Sequence, residues 1–298
     1  MQITIYNDRL RLTVDSRGAE MQSLLHADGT EYLWQGDPAC WPDRAPVLFP
    51  YVARLTDDSY RYHGKIYHMG IHGFAAGMEF RPVEQGLDRL TMELCDSAVT
   101  RAQYPFAFRF RIGYALEGST VRITDRVENR GKGPMYFGLG SHPGFRVPLE
   151  PGERFEDYRL EFGCRCRPDR VGFTRQLFLS GCAVPYPLEN EKYLRLRHGL
   201  FDEDAVILQN VCMDVRLVSR ISGRGVRVCA PQQRYLGLWH RPKSDAPYLC
   251  IEPWNSLPSR QGVVEELSCK SDLIRLEPGK TYETTWTITV QGKEQTDD

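Results

Sequence analysis

Apolar and polar residues alternate with a period of two along much of the chain. The alternation is clearest in four segments, whose apolar positions are Leu10, Leu12 and Val14; Phe108, Phe110, Ile112, Tyr114 and Leu116; Val121, Ile123 and Val127; and Tyr282, Trp286, Ile288 and Val290. A period of two puts successive side chains on opposite faces of a β-strand, so each segment is predicted to be a strand with one packed face and one polar face. Burial on one face only is typical of antiparallel sheets.

Turn-forming residues separate these segments at short intervals. Asp28-Gly29 and His63-Gly64 predict tight turns, Asn129 to Pro134 predicts a longer connection, and Pro278-Gly279 precedes the last strand. Helical patterns are scarce, and the best candidate is a short helix from Ser97 to Tyr104. The pattern therefore predicts an all-β fold, a large antiparallel β-sandwich with few short helices. One concave sheet, lined with polar and aromatic side chains, would suit a sugar.

No linker, low-complexity run or short repeat divides the chain, so residues 1–298 are predicted to form a single domain. The polar segment from Gly292 to Asp298 is predicted to be a C-terminal tail. No stretch approaches the roughly 18 consecutive apolar residues of a membrane span. Met1 to Tyr6 lacks the basic and apolar regions of a signal peptide, so we expect a cytoplasmic protein with no membrane partner.

Charge and cysteine content narrow the functional classes further. The formal net charge of −1 gives no bulk attraction to a polyanion, so nucleic acid is not an expected partner. The nine cysteines include no C-x-x-C pair, which argues against a zinc site. His68 and His72 are four residues apart, but Gly70 argues against the helix that would bring them together, so no metal is expected.

Two segments in the first quarter of the chain contain candidate functional residues. The apolar run from Arg44 to Leu55 contains two prolines and ends at Arg54. The Arg54 guanidinium has several N–H donors in a fixed planar arrangement, which could bind sugar hydroxyls or a phosphate. By pattern alone, however, a purely structural arginine at the end of a strand is the favoured interpretation. His72 lies between Ile71 and Gly73 and is predicted to be buried in a pocket, where a lone histidine is more often a core residue than a catalyst.

A third segment, Tyr136 to Phe145, passes from apolar residues through glycines to Ser141-His142-Pro143. Glycines let the backbone approach a ligand closely. A histidine at a rigid strand end can donate or accept a proton near neutral pH, so His142 is a candidate acid or base.

A fourth segment, Tyr248 to Asn255, is an apolar strand that ends in Glu252 and is followed by Trp254. A buried carboxylate costs desolvation energy unless it is paired. Glu252 is therefore either the partner of a nearby arginine or a general base whose pKa is raised by burial. Trp254 is either a core residue or a surface on which a sugar ring stacks.

One histidine and one carboxylate, with neither a metal motif nor a nucleotide motif, suit the opening and closing of a hemiacetal ring. One group takes the proton of the anomeric hydroxyl while the other protonates the ring oxygen. Each such step is worth about two to four powers of ten in rate.

These stretches resemble the aldose 1-epimerase (galactose mutarotase-like) family, most closely its branch associated with bacterial lactose operons. The similar stretches, in order, are Ser16 to Glu20, Glu31 to Pro38, Arg44 to Leu55, His72 to Phe74, Gly140 to Phe145, and Ile251 to Asn255. The resemblance covers nearly the whole chain. It implies the galactose mutarotase-like supersandwich fold and an isomerase that needs no cofactor. The implied substrate is a monosaccharide, and the implied state is a monomer or a homodimer.

The same resemblance implies roles for individual residues. Glu252 matches the family's general base, and His142 matches the general acid that protonates the ring oxygen. His72 and Arg54 match residues that bind the substrate.

Two further substrate-binding residues are implied with less specificity. The family has an acidic residue that binds hydroxyls, for which Asp204 is the candidate, while Asp202 and Glu203 fit the pattern almost as well. Trp254 is the second, and it is predicted from the stacking surface that its ring offers to a sugar and not from the resemblance.

The sequence differs from the galactose enzymes around His142. Their histidine follows an asparagine and precedes an aromatic residue, whereas here it lies between Ser141 and Pro143. The identity of the sugar is therefore not predicted. Enzymes acting on hexose 6-phosphates share the fold, and Arg44 or Arg146 would then have to supply positive charge at the pocket rim. A non-catalytic carbohydrate-binding or sensing protein is the alternative from another class. The presence of both Glu252 and His142 favours an enzyme.

Overall fold

A computed structural model describes residues 1–292 of the chain. Of the predicted tail from Gly292 to Asp298, only Gly292 lies within the described residues. The strands are β1 (Gln2–Tyr6), β2 (Leu10–Asp15), β3 (Met21–His26), β4 (Val47–Leu48), β5 (Ser59–Tyr62), β6 (Lys65–His68), β7 (Arg81–Gln85), β8 (Arg89–Cys95), β9 (Phe108–Glu117), β10 (Thr120–Asn129), β11 (Met135–Phe137), β12 (Gly140–Ser141), β13 (Gly144–Arg146), β14 (Tyr158–Phe162), β15 (Asp169–Phe173), β16 (Leu179–Pro185), β17 (Tyr193–Arg195), β18 (Val206–Gln209), β19 (Asp214–Ser219), β20 (Gly225–Cys229), β21 (Tyr235–Trp239), β22 (Tyr248–Trp254), β23 (Ile274–Leu276) and β24 (Thr281–Gln291).

Helical structure is sparse. Within residues 1–292 there is one α-helix, α1 (Ala98–Gln103), and the 3₁₀ turns are Thr56–Asp58, Ala75–Gly77, Phe155–Asp157, His198–Phe201 and Leu267–Cys269. The helix predicted from Ser97 to Tyr104 is confirmed. Ser97 caps it, since its hydroxyl accepts the backbone N–H of Thr100 while its own N–H donates to the Thr100 hydroxyl. No helix in this part of the chain is long and apolar enough to cross a membrane.

Two large sheets dominate the fold. One has nine strands in the order β17-β14-β19-β20-β24-β10-β9-β8-β7, and the other has eight in the order β16-β15-β18-β21-β22-β12-β4, with β13 also paired to β22. The ladders within them are antiparallel. Smaller sheets of β1-β2-β3, β5-β6 and β11-β23 complete the arrangement. The predicted all-β antiparallel sandwich is confirmed.

Inward-facing residues of both large sheets share one buried cluster. Phe108 and Phe110 of β9 belong to it, as do Leu249 and Ile251 of β22. These are the positions that the period-two pattern assigns to a packed face, because residues two apart on a strand point the same way. The eight-stranded sheet is thereby fixed from one side.

The opposite face of β22 is also buried, although it is not part of this core. Tyr248 and Cys250 pack in one small apolar cluster with Trp34, and Trp254 packs in another with Ile207. Glu252 lies between these two clusters on the same face and is 1% exposed. The fold therefore surrounds a single carboxyl group with apolar side chains on the outer face of the sheet.

Candidate active site

A cavity of about 410 Å³ opens on this outer face of the eight-stranded sheet. All of the site residues predicted from the sequence line it: Arg54, His72, His142, Asp204, Glu252 and Trp254. They come from five separate parts of the chain, which the sheet brings together because β18, β21, β22, β12 and β4 are neighbours. We call this the site cavity. The structure thus places the predicted residues in one site, while their individual roles stay predictions.

Glu252 and His142 are the closest ionisable pair in the site cavity. His142 Nε2 lies 3.3 Å from Glu252 Oε2, and the two side chains are 13% and 1% exposed. Burial raises the pKa of Glu252 well above its usual 4.5, and the negative charge of Asp204 adds to this. Burial and the nearby His72 lower the pKa of His142 to about 3. In the favoured state, therefore, both the carboxyl group and the imidazole are neutral, and the pair carries one titratable proton in total.

Several polar atoms at the floor of the site cavity have no internal partner. Both carboxyl oxygens of Glu252, Nδ1 of His142 and the indole nitrogen of Trp254 are buried with no hydrogen-bonding partner among the described residues. Buried polar groups in proteins are nearly always hydrogen-bonded, and an exception asks for an explanation. A polar ligand in the cavity would satisfy all three side chains.

The strand next to Glu252 makes room for its side chain. Gly237 of β21 stands directly opposite Glu252. A Cβ atom at Gly237 would come within 3.0 Å of the Glu252 Cβ and 3.3 Å of Ile207 Cδ1. A glycine at this position therefore leaves Glu252 free to turn toward the cavity.

His72 is held in one orientation and one tautomer by the backbone of Ala53. The Ala53 N–H donates to His72 Nδ1 at 3.1 Å, and the His72 N–H donates to the Ala53 carbonyl at 3.0 Å. Because Nδ1 accepts a hydrogen bond, the ring proton is on Nε2. Burial and the charge of Arg54 lower the pKa of His72 to about 4, so the ring is a neutral donor at physiological pH. The His72 ring also lies against the rings of His142 and Trp254. His72 is therefore part of the site cavity and is not an isolated histidine of the hydrophobic core.

Of the three acidic candidates, Asp204 is the one that lines the site cavity. Asp204 lines the site cavity and acts on the pKa of Glu252, whereas Asp202 and Glu203 line only a neighbouring cavity. Asp204 has a left-handed backbone (φ 82°), and its carboxylate accepts the N–H of Ala205 at 2.7 Å. Arg54 lies on the cavity wall with an exposed side chain, free to reach a ligand.

Sequence reasoning missed the aromatic wall around His142. Trp41 and Trp239 both line the site cavity, with ring centroids 5.0 Å and 5.5 Å from that of His142. No motif sets either tryptophan apart in the sequence, and only their position in space shows that they line the site cavity.

The glycines that precede and follow His142 lie against aromatic rings of the site. A Cβ at Gly140 would lie 2.9 Å from the Trp254 ring, and one at Gly144 would lie 2.9 Å from the Trp41 ring. These glycines therefore make room for the aromatic walls of the site, while the close approach of their backbone to a ligand stays a prediction.

Two structural alternatives considered for the sequence do not hold. Glu252 has no arginine within ion-pair distance among residues 1–292, and its close ionisable neighbour is the neutral imidazole of His142. Arg44 and Arg146, the candidates for positive charge at a phosphate rim, do not line the site cavity; Arg44 Nη1 donates instead to Gln22 at 2.8 Å.

One group of metal-ligand types occurs within the described residues. A nitrogen of His142, the thiol of Cys250 and a carboxyl oxygen of Glu252 lie within 4.8 Å of one another. Burial raises the pKa values of both Cys250 and Glu252 well above their usual range, so a metal would bind only by displacing two protons. Proton transfer needs no such displacement, and it is the chemistry that the pair supports directly.

Known proteins show extensive similarity to this chain. The sequence model of the family described as aldose 1-epimerase matches residues 1–289. The chromosomal LacX protein of Lactococcus lactis subsp. lactis is 33% identical over 301 residues, which cover 97% of this chain and 99% of that protein.

Solved structures agree over the same extent. The galactose mutarotase related enzyme from Lactobacillus acidophilus superposes with a TM-score of 0.93 at 32% identity, covering 99% of both chains. A galactose mutarotase-like protein from Lactobacillus casei gives a TM-score of 0.93 at 29% identity, covering 98% of this chain and 100% of the other.

Proposed function

The chain belongs to the aldose 1-epimerase family, and from that premise we propose that it is an aldose 1-epimerase, an isomerase that interconverts the α and β anomers of an aldohexose. One observation carries the proposal: His142 Nε2 and Glu252 Oε2, 3.3 Å apart, share a buried cavity with unpartnered polar atoms. Anomer exchange requires one proton to leave the sugar and another to enter it. A buried acid and base side by side supply both.

In the proposed reaction the Glu252 carboxylate takes the proton of the anomeric hydroxyl, and His142 Nε2 donates a proton to the ring oxygen. The bond between C1 and the ring oxygen breaks, and the anomeric oxygen becomes a carbonyl oxygen. Rotation about the C1–C2 bond presents the other face of the carbonyl group. Both proton transfers then reverse, so the ring closes as the other anomer and the pair returns to its starting state.

The starting protonation follows from the surroundings of the pair. Without a sugar, burial places the shared proton on Glu252. A sugar hydroxyl that donates a hydrogen bond to Glu252 stabilises its carboxylate form. The proton then passes to His142 across the 3.3 Å that separates the two side chains. Substrate binding itself thereby produces the base and the acid that ring opening requires.

The other residues of the site cavity would hold the sugar hydroxyls. His72 Nε2 and the Arg54 guanidinium are donors, and the Asp204 carboxylate is an acceptor. Trp254 and Trp239 offer apolar surfaces to the C–H groups of the sugar ring. The balance of charge disfavours a phosphorylated substrate here, since the site cavity is lined by one arginine, Arg54, and by the carboxylates of Asp43 and Asp204.

The decisive experiment compares wild type with Glu252→Gln. Anomer exchange of D-glucose and D-galactose is measured by polarimetry and NMR exchange spectroscopy, and sugar binding by ligand-observed NMR. We expect Glu252→Gln to lower the catalysed rate by about two to four powers of ten and to retain binding, because the amide keeps the shape and loses the proton-transfer group. Cys250→Ala, which changes the same face of β22, is expected to keep most activity, and so is wild type treated with a chelator.

Other outcomes point elsewhere. A Glu252→Gln variant with the wild-type rate would contradict the assignment of Glu252 as the general base. Sugar binding by a wild type that accelerates no aldose would establish the carbohydrate-binding alternative. Loss of activity on chelation and in Cys250→Ala would replace the proton-pair mechanism with a metal-assisted one. A cytoplasmic location, a single domain and a monomer or homodimer stay predictions from the sequence.

A further inference from the structure

Four of the nine cysteines lie close together, and none of the four lines the site cavity. They are Cys164, Cys166, Cys212 and Cys229, and Cys212 interacts electrostatically with each of the other three. The Cys164 N–H donates to the Cys212 sulfur at 3.2 Å, and the two thiols are hydrogen-bonded to each other. The Cys166 thiol instead accepts the backbone N–H of Cys212. Cys164 and Cys212 are therefore a pair of free thiols in direct contact.

The pair lies where two connections between the large sheets run side by side. Residues 163–168 lead from β14 to β15, and residues 210–213 lead from β18 to β19. β14 and β19 are neighbours in the nine-stranded sheet, and β15 and β18 are neighbours in the eight-stranded sheet. Both connections are therefore held at each end by the ladder between the strands that they join.

Hydrogen bonds on both sides of the thiol pair fix the two connections to each other. Next to the nine-stranded sheet, the Gly163 N–H donates to the Asp214 carbonyl at 2.8 Å. Next to the eight-stranded sheet, the Asn210 amide donates to the Asp169 carboxylate at 2.8 Å. Two cysteines can be joined without backbone movement only where the fold already brings them close. The sheets do this for two residues that are 48 apart in the sequence.

The two thiols differ in access to solvent. Cys164 is exposed, whereas Cys212 is half-buried and packs against the core. A small oxidant therefore reaches Cys164 first. The hydrogen bond with Cys212 raises the pKa of the Cys164 thiol to about 11, so little of it is thiolate at neutral pH. Because the thiolate is the reactive form, oxidation of the pair should be slow near neutrality and faster in alkali.

The four cysteines are poorly placed for a metal. Within residues 1–292, the one group of metal-ligand types whose atoms lie within 4.8 Å of one another is that of His142, Cys250 and Glu252. A tetrahedral zinc site requires four ligand atoms that converge on one point. The direct contact of two thiols favours a bond between them instead.

We propose that Cys164 and Cys212 are a redox-modification site, at which glutathione disulfide or a similar small disulfide produces a reversible disulfide bond between the two connections. The Cys164 thiolate attacks one sulfur of glutathione disulfide, and one glutathione thiolate leaves. The Cys212 thiolate then attacks the Cys164 sulfur of this mixed disulfide and expels the second glutathione. Two protein thiols are oxidised, glutathione disulfide is reduced to two molecules of glutathione, and the two protons pass to the glutathione thiolates.

The bond would join strand ends that are remote from the site cavity. Phe173, which lines the cavity, is at the opposite end of β15 from Asp169, and Ala205 lies before the opposite end of β18 from Gln209. Five residues of a strand span about 13 Å. We therefore expect the disulfide to stabilise the junction of the two sheets and to leave the site unchanged. This inference is independent of the proposed function.

The test treats the reduced full-length protein with glutathione disulfide at neutral and at alkaline pH. Remaining thiols are alkylated, and the protein is digested with trypsin without reduction and analysed by mass spectrometry. Cleavage after Arg165 puts Cys164 and Cys166 in separate peptides, so the partner of Cys212 is identified directly. We expect a peptide pair that links Cys164 to Cys212, formed faster in alkali. Its formation should raise the Tm by about 5–10 °C.

Two variants complete the experiment. Cys164→Ser, at an exposed position, should lose both the linked peptides and the rise in Tm. Cys182→Ser removes another exposed thiol, in β16, and as the matched control should keep both. A link from Cys212 to Cys166, or glutathione that stays on Cys164 with Cys212 free, would overturn the proposed pair. An oxidised wild type with the Tm of the reduced protein would overturn the stabilising role.

Discussion

At the residue scale, the site depends on two ionisable groups that burial drives in opposite directions. The pKa of Glu252 is raised and that of His142 is lowered to about 3. Both shifts have the same cause, because an apolar surrounding penalises the charged form of either group. The pair consequently keeps one shared proton over a wide range of pH.

This proton count predicts the pH dependence of kcat/KM. In acid the pair gains a second proton when His142 is protonated, which occurs near pH 3 and not near the ordinary histidine value of 6.5. In alkali it loses its only proton when Glu252 ionises, well above 4.5. We therefore expect a level profile through neutral pH with a fall on each side.

Measurement requires subtraction of the uncatalysed exchange rate at each pH, and circular dichroism to establish that the protein stays folded. An acid limb centred near pH 6.5 would contradict the shared-proton state. The alkaline limb should vanish in Glu252→Gln, whose amide does not ionise.

At the scale of elements, the pairing of β21 with β22 positions the carboxyl group. Gly237 faces Glu252 across the ladder, and nothing in the alternation of apolar residues marks this glycine as special. Its importance comes from a contact between strands that are adjacent only in the folded sheet.

We predict that Gly237→Ala damages catalysis as well as stability. The new Cβ would lie 3.0 Å from the Glu252 Cβ and displace the carboxyl group. Overpacking of this kind costs about 1–3 kcal/mol, and a displacement of the order of 1 Å at a reacting group costs about a hundredfold in rate. Exchange rates by NMR and unfolding by urea measure the two effects.

The matched control is Gly113→Ala in β9. A Cβ there would have its nearest neighbours at 3.8 Å, an ordinary contact distance. Gly113→Ala should therefore leave catalysis intact, and equal losses in both variants would show that Gly237 has no particular connection with Glu252.

At the scale of the whole molecule, one core supports both large sheets. Phe49, just after β4 of the eight-stranded sheet, packs its ring against Phe108 and Phe110 of β9 in the nine-stranded sheet, at centroid distances of 5.3 Å and 4.6 Å. The two sheets are interleaved along the chain, since strands of each lie between strands of the other. The single domain stays a prediction, and a core common to both sheets predicts that they unfold together.

A substitution at this junction should therefore weaken the entire fold. We predict that Phe49→Ala lowers the free energy of unfolding by about 3–5 kcal/mol, the usual cost of removing a buried phenylalanine side chain. Unfolding should stay a single transition in urea by fluorescence and circular dichroism alike. Val83→Ala, at an exposed position of β7, is the control and should have little effect. Two separate transitions, with only one of them shifted by Phe49→Ala, would show that the sheets unfold independently.

The sequence by itself determined the fold class and the candidates for chemistry. Alternation identified strands such as β9 and β24, because burial of one face of a strand places apolar residues at every second position of the local sequence. It also identified His142 and Glu252 as polar groups in apolar surroundings. The resemblance through several ordered motifs added His72, Arg54 and the acidic stretch that includes Asp204.

Only the tertiary structure decided how these residues act together. It placed His142, and not an arginine, beside Glu252. It showed that Asp204 lines the site cavity whereas Asp202 and Glu203 do not, and that Gly140 and Gly144 accommodate tryptophan rings. It also showed that Trp41 and Trp239 line the site cavity, for which neither had a signal in the sequence. The physical reason is that pKa shifts, steric clearance and cavity shape depend on distances between residues far apart in the chain, and those distances exist only once the sheets have formed.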